Sequence, residues 1–568
     1  MKRALPLALL GLGALLLFWN LGRPALWEDE AETALRAESV LETGVPRTTL
    51  DGVLVTTQPT LAAAEGRGGV WTWDTWLPAY LCAASFAALG RGPLAARLPF
   101  ALAGLLALGL SWRLFAAGED DEEPRERRPW APEAGLALLA LSPAFILFCR
   151  QSRYYALAAL GAPLVLLSWR RLLAGRRGGA AAVAGALLFL LHASFAFAAT
   201  AGLALAADAL LRGRECLRAR SFWAAAGLTV LLGAPAAWYF RVWGRAGNHA
   251  YGPAESLQFL KTFELWLAAF AFPLTLAAAA RARRPLQVLL GFALLCGLTA
   301  EGGPSAACAA AVWGWLAWAA ARVPARPGVM SLRRMALLSL AATLAVLAFS
   351  AAEPYGRYLA GLLPLAAYLA ARELSAAARG RAGAAAALAA ATVSCNALFL
   401  LPLKAAQLVG APAAPAESVS GMMRARLRDL PLRSGLWLTA RELVRGPEGF
   451  VEGAAAALRS GGGKTFFADD EALSLMFATG LRPVYPREFL SSEPDWILPS
   501  PWLSLEPETA ARVRALAASG RYELYPFVGP RLLWQNNPDP LEHDFSPAYG
   551  LIPLMRRRPA PPRAKMTR

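Results

Sequence analysis

Three short stretches of this chain set acids or arginines beside aromatic residues at the ends of long apolar runs. Leu26-Trp27-Glu28-Asp29-Glu30-Ala31 places three carboxylates just after the first apolar segment. Carboxylates next to a membrane are costly unless they are hydrated or in use. In use, one of them takes the proton from a hydroxyl that attacks a sugar carbon. Arg150-Gln151-Ser152-Arg153-Tyr154-Tyr155 joins two further apolar runs. Its spacing predicts that Arg150, Arg153 and Tyr154 share one helical face, where guanidinium groups would hold a phosphate by paired hydrogen bonds. Glu353-Pro354-Tyr355-Gly356-Arg357-Tyr358, followed by Pro364, supplies another arginine at a helix end. Each stretch has a plainer reading: a solvated loop entry, an interface anchor, and an ion pair between Glu353 and Arg357. Taken together they set a carboxylate pair and three arginines on one face of one bundle, at the depth of a lipid-linked phosphate.

The elements that must position these groups are membrane spans. With 56% hydrophobic residues and a mean hydropathy of +0.39, the chain is too apolar for a soluble domain. Apolar runs of about 15–22 residues recur from Ala4 to Leu403, the pattern of many spans. The net charge of +17 follows from topology and not from nucleic acid, because the arginines cluster in short loops between the runs. Arg170-Arg171 with Arg176-Arg177, then Arg212 to Arg220, Arg281 to Arg284, Arg322 to Arg334, and Arg372 to Arg381 all fall on the side of Lys2-Arg3. They do so if about 13 spans are counted, the N-terminus is cytoplasmic, and the first span stays uncleaved. The stretch 180–211 then splits into two spans near His192. Trp76–Leu89 lies at the outer interface behind Trp71, Trp73 and Trp76. Glu264 and Glu301 read as solvated helix ends.

The expected architecture is therefore an α-helical polytopic membrane protein with a small C-terminal periplasmic α/β domain. Its parts are a transmembrane domain over 1–404, including a first outer loop over 20–93 with interfacial helices, an amphipathic linker over 405–462, and the α/β domain over 463–568. In that domain, strand-like Thr465–Ala468, Pro483–Tyr485, Trp496–Leu498 and Tyr522–Pro526 alternate with helical Glu471–Phe477 and Glu508–Ala518. Six scattered cysteines and three histidines give neither a disulfide framework nor a metal site.

The chain resembles the GT-C class of membrane glycosyltransferases, in particular the bacterial family-39, protein mannosyltransferase and aminoarabinose-transferase-like proteins. Trp27-Glu28-Asp29-Glu30-Ala31 matches their first-loop Asp-Glu pair. Arg97-Leu98-Pro99, running on to Gly104, matches their entry to the second span, and Arg150–Tyr155 and Arg357–Pro364 match later Arg-Tyr motifs. The resemblance covers roughly 4–404. It implies transfer of a sugar from a polyprenyl-phosphate donor to a lipid, protein or glycan hydroxyl, at the periplasmic face of a bacterial inner membrane. Asp29 would be the base, with Glu30 positioning the acceptor or supporting Asp29. Arg153 and Arg357, with Arg150 and Tyr154, would hold the donor phosphate, and no metal or other cofactor is implied. Where relatives carry Lys-Pro-Pro, this chain reads Trp73-Asp74-Thr75-Trp76, which leaves Asp74 to meet the acceptor or a sugar hydroxyl. Tyr358 is a further candidate for substrate binding. His192 resembles a family His-aromatic position, although a buried, satisfied histidine is the plainer reading. The rivals are a transporter or flippase, which would show repeated halves and broken helices with mid-membrane charges, and a non-catalytic relative that only binds a lipid or partner.

Overall fold

The computed structural model describes residues 4–56, 67–123, 126–243, 252–270, 303–351, 355–378, 431–445, 449–499, 505–525, 527–530 and 549–559, with isolated positions between 293 and 406. Helices α1 (Ala4–Phe18), α2 (Glu28–Thr43), α3 (Leu77–Leu89) and α4 (Pro93–Asp121) come first. A bent pair follows, α5 (Ala131–Ala140) and α6 (Pro143–Cys149). After it come α7 (Tyr155–Leu173), α8 (Gly179–Ala193), α9 (Phe195–Arg212), α10 (Arg220–Tyr239), α11 (Pro253–Phe270), α12 (Gly303–Arg322), α13 (Leu332–Ser350) and α14 (Leu363–Ala377).

Among the described residues five helices are long and apolar enough to cross a membrane, or six if the pair bent by 58° is one span. The chain is thus built as a multi-pass membrane protein. Fewer spans are described than the 13 expected, for two reasons. Helices α1, α8 and α14 are shorter than a full span, with α12 in the run expected at 304–321 also outside the count, and the runs expected at 285–300 and 384–403, with most of 263–280, lie wholly or largely outside the described residues. The long apolar run over 180–211 does break near His192, at Ser194, whose φ of −165° is extended.

The bundle has two chemically distinct ends. Helix α4 has 29 residues, about 43 Å at 1.5 Å per residue, so it projects beyond a hydrocarbon core of about 30 Å. At its C-terminal end Asp121 pairs with Arg170 (2.6 Å) and its carbonyl accepts from Arg326. Glu119 pairs with Arg372 at 2.5 Å, and Asp208 joins Arg212 (2.7 Å) to Arg334 (2.6 Å). Charge patterning predicts five arginine loop clusters on one side, and members of four of them meet here. The fifth, Arg281 to Arg284, lies outside the described residues. Helix α7 runs from this end to Arg153, so Arg153 and the Asp29 carboxylate beside it occupy the opposite end. Gly104 lets α4 approach α6 closely, because a Cβ there would lie 2.6 Å from Cys149 Cβ.

Beyond the bundle, α15 (Phe450–Gly461), α16 (Ala472–Thr479) and α17 (Pro507–Ala518) pack with a five-stranded sheet built from β1 (Thr465–Ala468), β2 (Arg482–Pro483), β3 (Trp496–Leu498), β4 (Tyr522–Leu524) and β5 (Met555–Arg557), in the order β2-β1-β3-β5-β4. Strands β1, β2 and β3 are mutually parallel, and β5 runs antiparallel to both its neighbours, β3 and β4. Helix α15 falls in the expected linker but packs with this unit. Its Phe450 meets Phe527 at 6.1 Å, and a Cβ on Gly461 would strike the Trp496 ring.

Candidate active site

Helix α2 carries the first set of acids in its first turn, where carboxylates favour the positive end of the helix dipole. It ends at Gly44, whose φ of +79° suits glycine. Nearly every face of α2 is covered, so its polar residues have specific partners.

Glu30 is wholly buried and bound on both oxygens by Arg97, Nε to Oε1 at 2.8 Å and Nη2 to Oε2 at 2.5 Å. The Ser152 amide also donates to Oε1 at 2.9 Å. The rest of the Arg97 guanidinium donates to the carbonyls of Leu21, Pro24 and Ala25. The acid motif and the Arg-Leu-Pro motif are thus two halves of one clamp that fixes the start of α2. Glu30 has both oxygens bonded and none left to position an acceptor, which leaves the other expected role, support of Asp29. A buried ion pair with all its donors used holds geometry well.

Asp29, one residue earlier, points the other way. Its Oδ2 lies 3.7 Å from Arg153 Nη2 and 3.5 Å from Arg357 Nη1. Arg153 comes from the turn before α7 and Arg357 from the short 3-10 helix Gly356–Leu362. Arg153 also donates to the Asp29 carbonyl (3.2 Å), Thr33 Oγ1 (3.3 Å) and Glu32 (3.4 Å). Arg357 sits over the rings of Tyr355 (4.2 Å), Trp27 (5.8 Å) and Tyr358 (5.9 Å). Burial works against both charges, but Asp29 and Tyr155 outweigh it and hold both guanidiniums above the ordinary arginine range. Three stretches distant in sequence thus place one carboxylate between two permanent cations.

The other expected residues divide. Residues 150–154 form a turn and not a helix, so Arg150 and Arg153 do not share a face. Arg150 donates to the carbonyls of Leu16 (3.0 Å) and Leu17 (2.9 Å), capping α1. Burial lowers it to about 9. It serves the fold and does not reach Asp29. Arg153, Tyr154, Tyr358 and Asp74 line one cavity of about 410 Å³. His192 is exposed and lies outside that lining; the expectation of a buried histidine does not hold. Glu264 is also unlike its expectation, being buried with no partner for either carboxyl oxygen among the described residues. Glu353 and Glu301 lie outside the described residues.

Sequence reasoning passed over Glu32 and Arg36, although their i,i+4 spacing was a signal. Arg36 pairs with Glu32 and stacks 3.5 Å from the centre of the Trp71 ring, on the cavity wall. Among the described residues, no group of three or more His, Cys, Asp or Glu side chains is arranged to hold a metal ion.

The α/β unit docks directly onto this helix. Glu28 accepts hydrogen bonds from the amides of Leu473 (3.1 Å) and Ser474 (3.4 Å) at the start of α16. Tyr485 donates to the Leu54 carbonyl, and Phe477 stacks 6.2 Å from Phe86. Asp470 and Glu471 share the junction. Burial raises Glu28 to about 8 and Asp470 to about 7, each pushed further by a neighbouring acid, and burial with Asp470 and Glu28 raises Glu471. The charged groups acting on these three are all acids: Asp29, Glu32 and Asp469 besides one another. The docked state therefore binds protons more tightly than an undocked one with ordinary carboxyls. Docking is strongest in acid and weakens as pH rises from about 4.5 through about 8. Thermal unfolding in detergent micelles should show a lower midpoint at pH 8.5 than at pH 6, with the difference reduced in Glu28→Gln. Equal pH dependence of the two proteins would refute the assignment.

No family model matches the chain, and no curated protein matches it. Two solved structures share its fold. The crystal structure of ArnT from Cupriavidus metallidurans bound to undecaprenyl phosphate superposes with a TM-score of 0.51 at 14% identity, over 97% of each chain. The apo state of the same protein gives 0.50 at 14% identity, over 91% of this chain and 95% of that one.

Proposed function

We propose that this chain is a membrane glycosyltransferase that moves a sugar from a polyprenyl-phosphate donor to a hydroxyl of a lipid, protein or glycan acceptor. The observation that carries the reading is Asp29 held between Arg153 and Arg357 beside a cavity lined by Arg153, Tyr154 and Tyr358. The shared fold supports it, since the ArnT crystal structure holds undecaprenyl phosphate. The reactive face is extracytoplasmic in this reading, because the arginine loops gather at the other end of the bundle and basic loops stay in the cytoplasm.

The chemistry follows from the charges. The two guanidiniums pair with Asp29. A donor phosphate competes for them, binding by charge-assisted hydrogen bonds, and releases the carboxylate. The acceptor oxygen then bonds to the sugar's anomeric carbon while its proton passes to Asp29. The bond from that carbon to the phosphate oxygen breaks, and the electron pair stays on the polyprenyl phosphate. Arg153 and Arg357 stabilise the charge gathering there, so the leaving group needs no general acid.

The test is to reconstitute the purified protein with polyprenyl-phosphate sugars and to compare envelope glycans by mass spectrometry with and without the gene. Release of free polyprenyl phosphate and loss of one glycan species are expected. Unchanged glycans, with transbilayer movement of intact donor and no release, would establish a flippase instead. Arg357→Ala should weaken polyprenyl-phosphate binding about 10- to 100-fold, the worth of one or two charge-assisted hydrogen bonds, as measured by calorimetric titration. Unchanged affinity would remove Arg357 from the phosphate site.

A further inference from the structure

Asp29, Glu32, Thr33 and Arg36 stand at positions i, i+3, i+4 and i+7 of α2 and share one face of that helix. Arg153 lies against this face. It comes from the turn at 150–154, where no regular element fixes its direction, so its long side chain is held by its contacts alone. Its Nη1 donates to the Asp29 carbonyl at 3.2 Å, to Thr33 Oγ1 at 3.3 Å and to Glu32 Oε2 at 3.4 Å. Its Nη2 comes no nearer to the Asp29 carboxylate than 3.7 Å, an ion pair too long for a hydrogen bond.

These contacts do not all last through the proposed reaction. Asp29 has to leave Arg153 when phosphate takes its place and a proton arrives. Among the described residues, Glu32 is then the one carboxylate that stays within ion-pair distance of Arg153. The other two contacts are neutral oxygens, which bind a guanidinium less strongly than a carboxylate does.

Glu32 is itself held from behind. Its Oε1 accepts from Arg36 and its Oε2 from Arg153, so its carboxylate is divided between two arginines. Arg36 stacks 3.5 Å from the centre of the Trp71 ring, and Arg36 and Trp71 are 4% and 3% exposed. A guanidinium laid on an aromatic face keeps one orientation. Burying a carboxylate is costly unless it is paired. Glu30 meets that cost through Arg97 and fixes the start of α2. Glu32 meets it through an arginine that lines the cavity beside Asp29.

We infer that Glu32 is a positioning residue for the transfer step: backed by Arg36 and Trp71, it holds the Arg153 guanidinium on the leaving phosphate once Asp29 has let go. The inference rests on the glycosyltransferase reading and deepens it. Glu32 touches no reacting atom and acts through Arg153. Its negative charge opposes the binding of an anion, while its grip on Arg153 favours the step in which charge gathers on the phosphate. Binding and turnover therefore part company when it is altered.

The test uses the full-length protein in nanodiscs. Binding is measured with farnesyl phosphate. Turnover is the free polyprenyl phosphate released from a panel of polyprenyl-phosphate hexoses and pentoses, with envelope membranes from a strain lacking the gene as acceptor. Glu32→Gln should lower turnover about 10- to 100-fold, the effect of moving a charge-stabilising group by about an ångström, and bind farnesyl phosphate as well as the wild type or better, which also shows that it is folded. In the Arg153→Met background, Glu32→Gln should cost less than about twofold, because the contact it supports is already gone. Arg36→Lys keeps the charge and loses the plane stacked on Trp71, so it should lower turnover in the same direction with binding kept; it decides the matter if Glu32→Gln does not fold. Wild-type turnover in the folded variants, a parallel loss of binding, or losses that multiply with Arg153→Met would overturn the inference. If the wild-type protein releases no polyprenyl phosphate, the glycosyltransferase reading fails first, so the two failures are distinguishable.

Discussion

Asp29→Asn is expected to lower sugar transfer by about a thousandfold, the middle of the range for loss of a general base, while the protein still folds and binds polyprenyl phosphate. The amide keeps the size of the carboxylate and can still accept hydrogen bonds from Arg153 and Arg357, which lie 3.7 and 3.5 Å away. What it loses is the negative charge and the basicity. Removing that charge also removes the group that competes with phosphate for the two guanidiniums, so affinity for polyprenyl phosphate should stay level or rise. A drop in turnover with undiminished lipid binding separates a base from a residue that merely holds the site together. Transfer at the wild-type rate by the well-expressed Asp29→Asn variant would exclude the assignment.

The second large effect concerns stability. Arg97→Met should destabilise the protein by about 3–5 kcal/mol, the usual cost of removing one partner from a buried ion pair. Glu30 would be left charged with no exposed surface, and the carbonyls of Leu21, Pro24 and Ala25 would each lose a donor. Thermal unfolding in detergent should show a fall of many degrees. Adding Glu30→Gln to Arg97→Met should recover part of it, because the unpaired charge is gone while the carbonyls remain unbonded. If Arg97→Met unfolds with the wild-type protein, the clamp is not what fixes the start of α2.

Much of this arrangement could be read in the residues, and the exceptions share one cause. Apolar runs and loop arginines sort the helices because hydropathy and charge are properties of composition, needing no knowledge of side-chain direction. Asp29, Arg153 and Arg357 stand out for the same reason, as polar groups at the edges of apolar runs. Direction is where the sequence is silent. Glu30 and Asp29 are neighbours, yet one enters the Arg97 clamp and the other faces two cations. Arg150 and Arg153 look alike in spacing, but the turn at 150–154 sends the first to the end of α1. Glu32 and Arg36 carried an i,i+4 signal that was masked by the richer acid run before them. The link from Glu28 to Leu473 joins positions 445 residues apart, which no local pattern records.

In the proposed reading, that last link gives the α/β unit a mechanical lever on the reaction. Positions 28 and 29 share a peptide bond: the first is bolted to the outlying sheet unit through α16, and the second is the proposed base. A nanobody gripping the exposed helix Pro507–Ala518 or the rim around Arg482, and tilting that unit, would shift the proton acceptor without entering the cavity. In the proposed reading, an inhibitor of this protein need not enter the lipid cavity or resemble a lipid.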